Sequence, residues 1–178
     1  MIIDEVQTGV YRTGELLASQ LYDIEPDVVT LAKGLAGGVP VGAVITRLKD
    51  IFSPGDHGST FGGNFLSTRA ALEVLDILEE LKNSGELDAT IIRFEESLKS
   101  VAQDFNNLFD KEVGIGLMRG LRAKSDAIQK ETIKQALASR VIVLKAGKNT
   151  VRFLPPLTIT KEEMDEGFSR LRMALESI

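Results

Sequence analysis

The chain has 178 residues, of which 43% are apolar and 26% charged, as is typical of a globular protein with one domain or two small ones. Its net charge of −5 at pH 7 argues against broad affinity for nucleic acid or for an anionic membrane surface. The lack of cysteine excludes disulfides and cysteine-bound metal, and with His57 as the only histidine we expect no metal site.

The sequence carries no pattern of a targeting or membrane-spanning segment. Its first residues lack the basic region of a signal peptide and soon meet two acids, Asp4 and Glu5. The longest nearly apolar run, residues 35–45, contains three glycines and a proline, and a membrane helix needs roughly 20 residues. We therefore expect a cytoplasmic protein that does not interact with a membrane.

Short apolar runs at residues 1–3, 28–31 and 41–45 predict three strands in the first part of the chain. The last two do not alternate apolar and polar residues, which is typical of strands that helices cover on both faces. A helix is predicted at residues 67–82, where apolar residues recur at helical spacing. The sequence Asn-Ser-Gly at residues 83–85 ends this helix, and we place a domain boundary there, between residues 1–84 and 85–178.

The second part of the chain predicts a small α+β domain. Its predicted elements are a long amphipathic helix at 87–109, a strand-like segment at 113–123, a helix at 127–140, a hairpin of strands 141–144 and 151–154, and a last helix. Thr160 and Glu163 have the spacing of a capping box at the start of that last helix.

Two polar residues follow the first two predicted strands. Asp4 comes after the first strand and Lys33 after the second. Ligands collect at the carboxyl ends of strands in open parallel sheets, so an acid and an amine from paired strands face one ligand there. Pyridoxal 5'-phosphate (PLP) suits this pair, because its aldehyde bonds to a lysine and its protonated ring nitrogen needs an anionic partner. The alternatives are an ordinary surface lysine and an aspartate that caps the following turn.

Four sequence blocks, at residues 3–14, 31–44, 55–64 and 151–157, closely resemble the class III aminotransferases in content and order. The resemblance covers essentially the whole chain and corresponds to the second half of such an enzyme. It implies an α/β fold that is part of fold type I of the PLP-dependent transferases. Residues 1–84 are then the C-terminal part of the PLP-binding large domain, and residues 85–178 the small C-terminal α+β domain.

The resemblance also implies roles for five residues at the cofactor. Lys33 is the catalytic lysine, which bonds covalently to PLP and then moves a proton between substrate and cofactor. Asp4 keeps the pyridine nitrogen protonated, and Gln7 lies beside the phenolic oxygen. Ser59 and Thr60 contact the phosphate, with Thr60 reaching the cofactor of a neighbouring subunit, which implies a homodimer. A flexible glycine- and serine-rich loop is the alternative for the last two residues.

By the same resemblance Arg152 binds the α-carboxylate of the amino-acid and 2-oxoacid substrates, for which the two-pronged guanidinium is suited. The alternative is an ion pair with an acidic neighbour on the strand. Glu5 receives no role beyond an ion pair.

The implied reaction is transfer of an amino group from N-acetylornithine to 2-oxoglutarate in arginine biosynthesis. Ornithine, 4-aminobutyrate and succinyl-diaminopimelate are the alternative donors. In the family the main phosphate loop, the aromatic residue on the ring and the glutamate that pairs with the arginine all lie upstream of Met1. The other alternative is therefore a non-catalytic fragment or one chain of a split enzyme, which we expect to be poorly soluble or inactive alone and to bind PLP weakly.

Overall fold

The computed structural model describes residues 1–178 and divides into two compact units, Met1–Ser84 and Gly85–Ile178. The division falls between two helices, at Gly85, whose φ of +80° is a left-handed conformation that glycine adopts at little cost.

The first unit contains a three-stranded sheet in the order β1-β2-β3. Its strands are β1 (Ile2–Asp4), β2 (Val28–Leu31) and β3 (Ala43–Thr46). β1 runs parallel to β2, and β3 runs antiparallel to β2. The three predicted strands are confirmed to within two residues at each end. Within this chain β3 is not covered on both faces, because Val44 and Ile45 are 54% and 52% exposed.

Helical segments complete the first unit. Two short 3-10 helices, Ala18–Tyr22 and Lys33–Ala36, lie in the connections between strands, and helix α1 spans Phe65–Asn83. α1 begins two residues earlier than predicted because Asn64 is its N-cap, whose side chain accepts hydrogen bonds from the backbone N–H groups of Leu66 and Ser67, both at 3.1 Å.

The second unit is a four-stranded antiparallel sheet with three helices. In chain order its elements are α2 (Glu86–Asp104), β4 (Phe109–Ile115), β5 (Met118–Ala123), α3 (Asp126–Ala138), β6 (Leu144–Ala146), β7 (Thr150–Phe153) and α4 (Lys161–Leu175). The strand order is β4-β5-β7-β6. The predicted capping box at the start of α4 is confirmed, because Thr160 and Glu163 each bind the other's backbone N–H.

Two predicted boundaries in the second unit are wrong. The long helix ends at Asp104 instead of residue 109, because Phe109 pairs with Ala123 as the first residue of β4. The strand predicted at 141–144 is confined to its last residue, Leu144, where β6 begins. In both places pairing within the sheet, which sequence periodicity does not record, decides where the element ends or begins.

Aromatic contacts join the helices of the second unit to one face of its sheet. The ring of Phe94 in α2 lies 6.5 Å from that of Phe153 in β7 and 5.7 Å from that of Phe168 in α4. Because side chains alternate along a strand, Arg152 points to the other face of the sheet, away from these rings. None of the helices in either unit is both long and apolar enough to cross a membrane.

Candidate active site

The carboxyl ends of β1 and β2 lie at the same edge of the first sheet. The two strands are parallel, with Asp4 opposite Thr30, and β2 ends at Leu31. Lys33 follows two residues later, so the expected pairing of the two strands is confirmed. The structure thus brings a carboxylate and an amine to one edge of one sheet.

The carboxylate of Asp4 is held from one side. Its Oδ1 accepts a hydrogen bond from the backbone N–H of Val6 at 2.9 Å and another from the hydroxyl of Thr30 at 3.2 Å. The first of these bonds is the turn cap that the sequence offered as an alternative. Only Oδ1 takes part, so the cap fixes the orientation of the carboxylate and leaves Oδ2 to accept a bond from a ligand.

Lys33 is exposed, and its ammonium group forms no hydrogen bond or ion pair within the chain. Its backbone has a φ of +47°, in the left-handed region, at the start of the 3-10 helix Lys33–Ala36. For a residue other than glycine this conformation costs about 1–2 kcal/mol. The lysine is therefore held in an unfavourable backbone conformation with an unpaired amine at the edge where Asp4 lies.

The other cofactor residues expected from the resemblance, Gln7, Ser59 and Thr60, form no hydrogen bond with Asp4 or Lys33. Gln7 is half-buried in the turn after β1. Ser59 and Thr60 lie in an exposed segment, where the hydroxyl oxygen of Ser59 accepts a hydrogen bond from the backbone N–H of Gly62 at 2.8 Å. The assignment of Thr60 concerns a neighbouring subunit, so contacts within one chain do not bear on it.

Arg152 lies in the second unit, on β7, between Gly120 of β5 and Leu144 of β6. It is half-buried, and its Nε is buried without a hydrogen-bond partner. The alternative of an ion pair on the strand is wrong, because no acidic side chain lies within ion-pair distance of its guanidinium. A guanidinium without an internal partner is free to bind a carboxylate from outside the chain.

The structure shows Glu5 as a buried, hydrogen-bonded residue, which no sequence pattern predicts. Its side chain is 1% exposed, and the two oxygens accept hydrogen bonds from the backbone N–H of Ser19, at 2.8 Å, and from the hydroxyl of Thr8. Ser19 is 14 residues away in the chain. No local pattern links the two positions, and this is why sequence reasoning missed the buried carboxylate.

Burial also shifts the pKa values of two residues in the segment after β1, Tyr11 and Arg12. Burial lowers the pKa of the Arg12 guanidinium, since a charged group loses hydration there. Burial also raises the pKa of the Tyr11 hydroxyl, and the carboxylates of Glu79 and Glu15 raise it further. The segment after β1 is therefore closely packed, in contrast to the exposed segment that carries Ser59.

The α/β chain with mixed strand directions has the architecture of part of a PLP-dependent transferase of fold type I, and its lysine and aspartate lie at the ends of paired parallel strands. The chain belongs to the class-III aminotransferases, because the sequence profile described as "Aminotransferase class-III" matches residues 1–175.

Curated relatives are similar over the whole of this chain. The acetylornithine aminotransferase of Wolinella succinogenes is 65% identical over 178 residues, which are 100% of this chain and 45% of the relative. The acetylornithine aminotransferase of Streptococcus mutans is 44% identical, with 99% of this chain and 46% of the relative covered. The chain thus spans about half the length of the curated relatives it matches.

Solved structures show the same partial match. The N-acetylornithine aminotransferase of Stenotrophomonas maltophilia has a TM-score of 0.79 at 34% identity, covering 99% of this chain and 46% of the other. The ornithine aminotransferase of Toxoplasma gondii has a TM-score of 0.88 at 33% identity, covering 99% and 43%. A second structure of the Toxoplasma enzyme is described with partial occupancy of PLP at its active site.

Class-III aminotransferases are PLP-dependent, and the residues of this chain fit that cofactor. The unbonded Oδ2 of Asp4 is a suitable acceptor for a protonated ring nitrogen, and the unpaired amine of Lys33 is suited to bond with an aldehyde. The aspartate and the lysine lie at one edge, as two ends of one ligand require.

Proposed function

We propose that this chain supplies the catalytic lysine and the ring-binding aspartate of a PLP-dependent aminotransferase. The single observation that carries the proposal is the placement of Asp4 and Lys33 at the carboxyl ends of paired parallel strands. The proposed substrates are N-acetylornithine and 2-oxoglutarate, because the relatives that match at 65% and 44% identity are acetylornithine aminotransferases.

Each residue has a defined task in this proposal. When bound, PLP withdraws electrons from the substrate and so allows a proton to leave the carbon that bears the amino group. Lys33 would hold the cofactor through its side-chain nitrogen, and its amine would be the base that takes up and returns the proton. Asp4 keeps a proton on the ring nitrogen, because its negative charge stabilises the positive ring.

Three further residues complete the proposed cofactor site. Gln7 contacts the phenolic oxygen, and the hydroxyl groups of Ser59 and Thr60 donate hydrogen bonds to the phosphate. We propose that Thr60 does so in the neighbouring subunit of a homodimer. The exposure of Ser59 and Thr60 supports this part of the proposal, because both hydroxyl groups lie at the surface of the chain.

Arg152 binds the α-carboxylate of both substrates in this proposal. Its support is the guanidinium that no acidic side chain of the chain pairs with. We also propose that residues 1–84 are the C-terminal part of the PLP-binding large domain and residues 85–178 the small domain. The division of the chain into two compact units between Ser84 and Gly85 supports that assignment.

The test uses a chimera, in which this chain replaces the 178 residues that it matches in the Wolinella succinogenes relative. The chimera is loaded with PLP and reduced with borohydride, and the modified lysine is located by mass spectrometry. We expect the label on Lys33. In Lys33→Ala we expect both the label and the transamination activity to be lost. Lys49→Ala, an exposed lysine of the same unit, is the control and keeps both. A label on any other lysine contradicts the assignment.

Ornithine is the second candidate donor. The ornithine aminotransferase of Toxoplasma gondii has a TM-score of 0.88, and the acetylornithine aminotransferase of Elizabethkingia anophelis has the same score, so structural similarity does not separate the two donors. The chimera is assayed with N-acetylornithine, ornithine, 4-aminobutyrate and succinyl-diaminopimelate at equal concentrations. A higher kcat/KM for ornithine than for N-acetylornithine favours the second candidate.

We further propose that the isolated chain is inactive and binds PLP weakly. The first unit exposes apolar side chains that a folded enzyme would cover: Ile2 is 73%, Phe65 95% and Leu66 75% exposed. We expect the isolated chain to aggregate and the chimera to remain monodisperse in gel filtration. Transamination by the isolated chain at the rate of the chimera contradicts this proposal.

A further inference from the structure

We propose that Glu5 is a positioning residue for the candidate cofactor site, because its buried carboxylate holds the turn that orients Asp4. The inference rests on the proposed function, since it assigns Glu5 a part in presenting Asp4 to the ring nitrogen. Glu5 itself does not contact the cofactor in this proposal. It acts on Asp4 through the backbone of the turn that follows β1.

The first step of the argument is the burial of the Glu5 carboxylate. The residue is 1% exposed, and a buried carboxylate is costly unless hydrogen bonds replace its lost hydration. Both oxygens have such a bond: Oε1 accepts from the backbone N–H of Ser19 at 2.8 Å, and Oε2 accepts from the hydroxyl of Thr8. Glu5 therefore ties together the end of β1, the turn and the 3-10 helix that contains Ser19.

The backbone of Glu5 is fixed as well. Its N–H donates to the carbonyl oxygen of Thr30 at 3.0 Å, which continues the pairing with β2 one residue beyond Asp4. Its carbonyl oxygen accepts from the N–H of Gly9 at 2.9 Å, which closes the turn. The backbone N–H and C=O of Glu5 and both of its carboxylate oxygens therefore have partners within the chain.

The next step connects this anchoring to Asp4. The backbone N–H of Val6 belongs to the peptide bond that follows Glu5, and it donates to Oδ1 of Asp4 at 2.9 Å. The position of this N–H depends on Glu5, because the carbonyl oxygen of the same peptide bond belongs to Glu5 and accepts from Gly9. The backbone N–H of Glu5, one residue earlier, is bonded to Thr30. Movement of the turn would shift this donor and release one of the two hydrogen bonds that orient the Asp4 carboxylate.

The turn is also closely packed at Gly9, where there is no room for a side chain. A side chain at Gly9 would place its Cβ 2.7 Å from Cδ2 of Leu31 and 2.9 Å from the carbonyl oxygen of Glu5. The same turn carries Gln7, the residue proposed to contact the phenolic oxygen. Glu5 thus supports two of the proposed cofactor residues from below the surface.

Two substitutions separate hydrogen bonding from charge. Glu5→Gln keeps a carbonyl oxygen for the Ser19 N–H, and its amide group donates to the Thr8 hydroxyl, which then acts as the acceptor. Glu5→Met has a similar length and neither bond. A positioning role through hydrogen bonds therefore predicts rescue by glutamine, whereas a direct effect of negative charge on the ring predicts none.

The first measurement is hydrogen exchange of the chimera without cofactor. In Glu5→Met we expect the Val6 amide to exchange at least about tenfold faster, although its own acceptor, Asp4, is unchanged. In Glu5→Gln we expect less than about a threefold change. The control is Glu15→Met, which removes an ion pair with Lys82 from the same segment and leaves the Val6 amide as it was.

The second measurement is the dissociation constant of PLP for the chimera, from absorbance titration. We expect an increase of about tenfold in Glu5→Met and less than about threefold in Glu5→Gln and Glu15→Met. If Glu5→Met does not fold, Thr8→Val, which removes one of the two bonds, is expected to give a change between those of the glutamine and methionine variants.

The two measurements have separate consequences. Unchanged exchange at Val6 in Glu5→Met, or equal losses in the glutamine and methionine variants, overturns the positioning role. Failure of the unsubstituted chimera to bind PLP overturns the proposed function instead. In that case the exchange measurement still decides whether Glu5 holds the turn.

Discussion

Replacing Lys33 by glycine should make the chain more stable than replacing it by alanine. The φ of +47° at Lys33 costs a residue with a Cβ about 1–2 kcal/mol, and glycine avoids this cost. Glycine also gains unfolded-state entropy, which offsets about 0.4–1 kcal/mol of the benefit. Lys33 is exposed and makes no hydrogen bond or ion pair within the chain, so neither substitution removes an interaction. The expected net advantage of glycine over alanine is about 0.5–1 kcal/mol.

The assay is urea unfolding of the chimera without PLP. The free energies of unfolding of Lys33→Gly and Lys33→Ala are compared, provided that both variants show the same dependence of free energy on urea concentration. Lys49 is the matched control, because it is exposed in the same unit and its φ is not positive. There glycine is expected to be less stable than alanine by about 0.4–1 kcal/mol, from unfolded-state entropy alone. If Lys33 gives the same sign as Lys49, the left-handed conformation and the strain inferred from it are wrong.

Three further predictions concern the second unit. Arg152→Lys in the chimera is expected to raise the KM for 2-oxoglutarate by about tenfold or more. Its free energy of unfolding in urea should change by less than about 0.5 kcal/mol, because the guanidinium has no partner in the chain. An unchanged KM contradicts the role of Arg152. Leu98→Ala is expected to lower the free energy of unfolding by about 2–5 kcal/mol, since Leu98 is 0% exposed, and a loss below 1 kcal/mol in calorimetry is the opposing result. The hydrogen bond from Arg172 is the largest of the influences that lower the pKa of the Asp104 carboxyl, so Arg172→Met is expected to raise that pKa in an NMR titration. A carboxyl whose pKa is lower in the folded than in the unfolded state stabilises the fold at pH values above the unfolded-state pKa, and this stabilisation is lost as pH falls through the folded-state pKa. Arg172→Met should therefore be less stable than the unsubstituted protein near neutral pH and equally stable in strong acid.

Much of the fold followed from local patterns. The apolar runs placed β1 and β2, and the polar residues at their carboxyl ends, Asp4 in β1 and Lys33 two residues after β2, lie at the edge where parallel pairing puts them. The capping box at Thr160 was also local, because both of its hydrogen bonds join residues three positions apart. These features depend on short-range spacing, which a single sequence records in full.

Other features could not be predicted because they depend on distant partners. The burial of Glu5 requires Ser19, and the antiparallel direction of β3 is set by its pairing with β2. Phe109 continues the apolar stripe of α2, yet it lies in β4 because pairing with Ala123 is available there. The left-handed conformation of Lys33 has no sequence signal either, since lysine does not favour positive φ.

Non-glycine residues with positive φ occur at ordinary turns of the fold and also beside the candidate site. In the second unit Arg140 follows the end of α3, and Lys148 and Asn149 form the hairpin turn, where such conformations are common. In the first unit Asp23 follows the 3-10 helix Ala18–Tyr22 and Asp50 lies in an exposed segment after β3. Val10 and Tyr11, by contrast, are consecutive and buried, with φ of 55° and 62°, in the segment that follows β1. A β-branched residue and an aromatic residue in this region each cost about 1–3 kcal/mol, which the surrounding contacts must offset. Val10, Tyr11 and Lys33 thus place strained backbone in the connections that follow the two strands ending at the candidate site. Strain retained beside an unpaired amine and beside a turn anchored by a buried carboxylate favours a fixed geometry that serves a ligand.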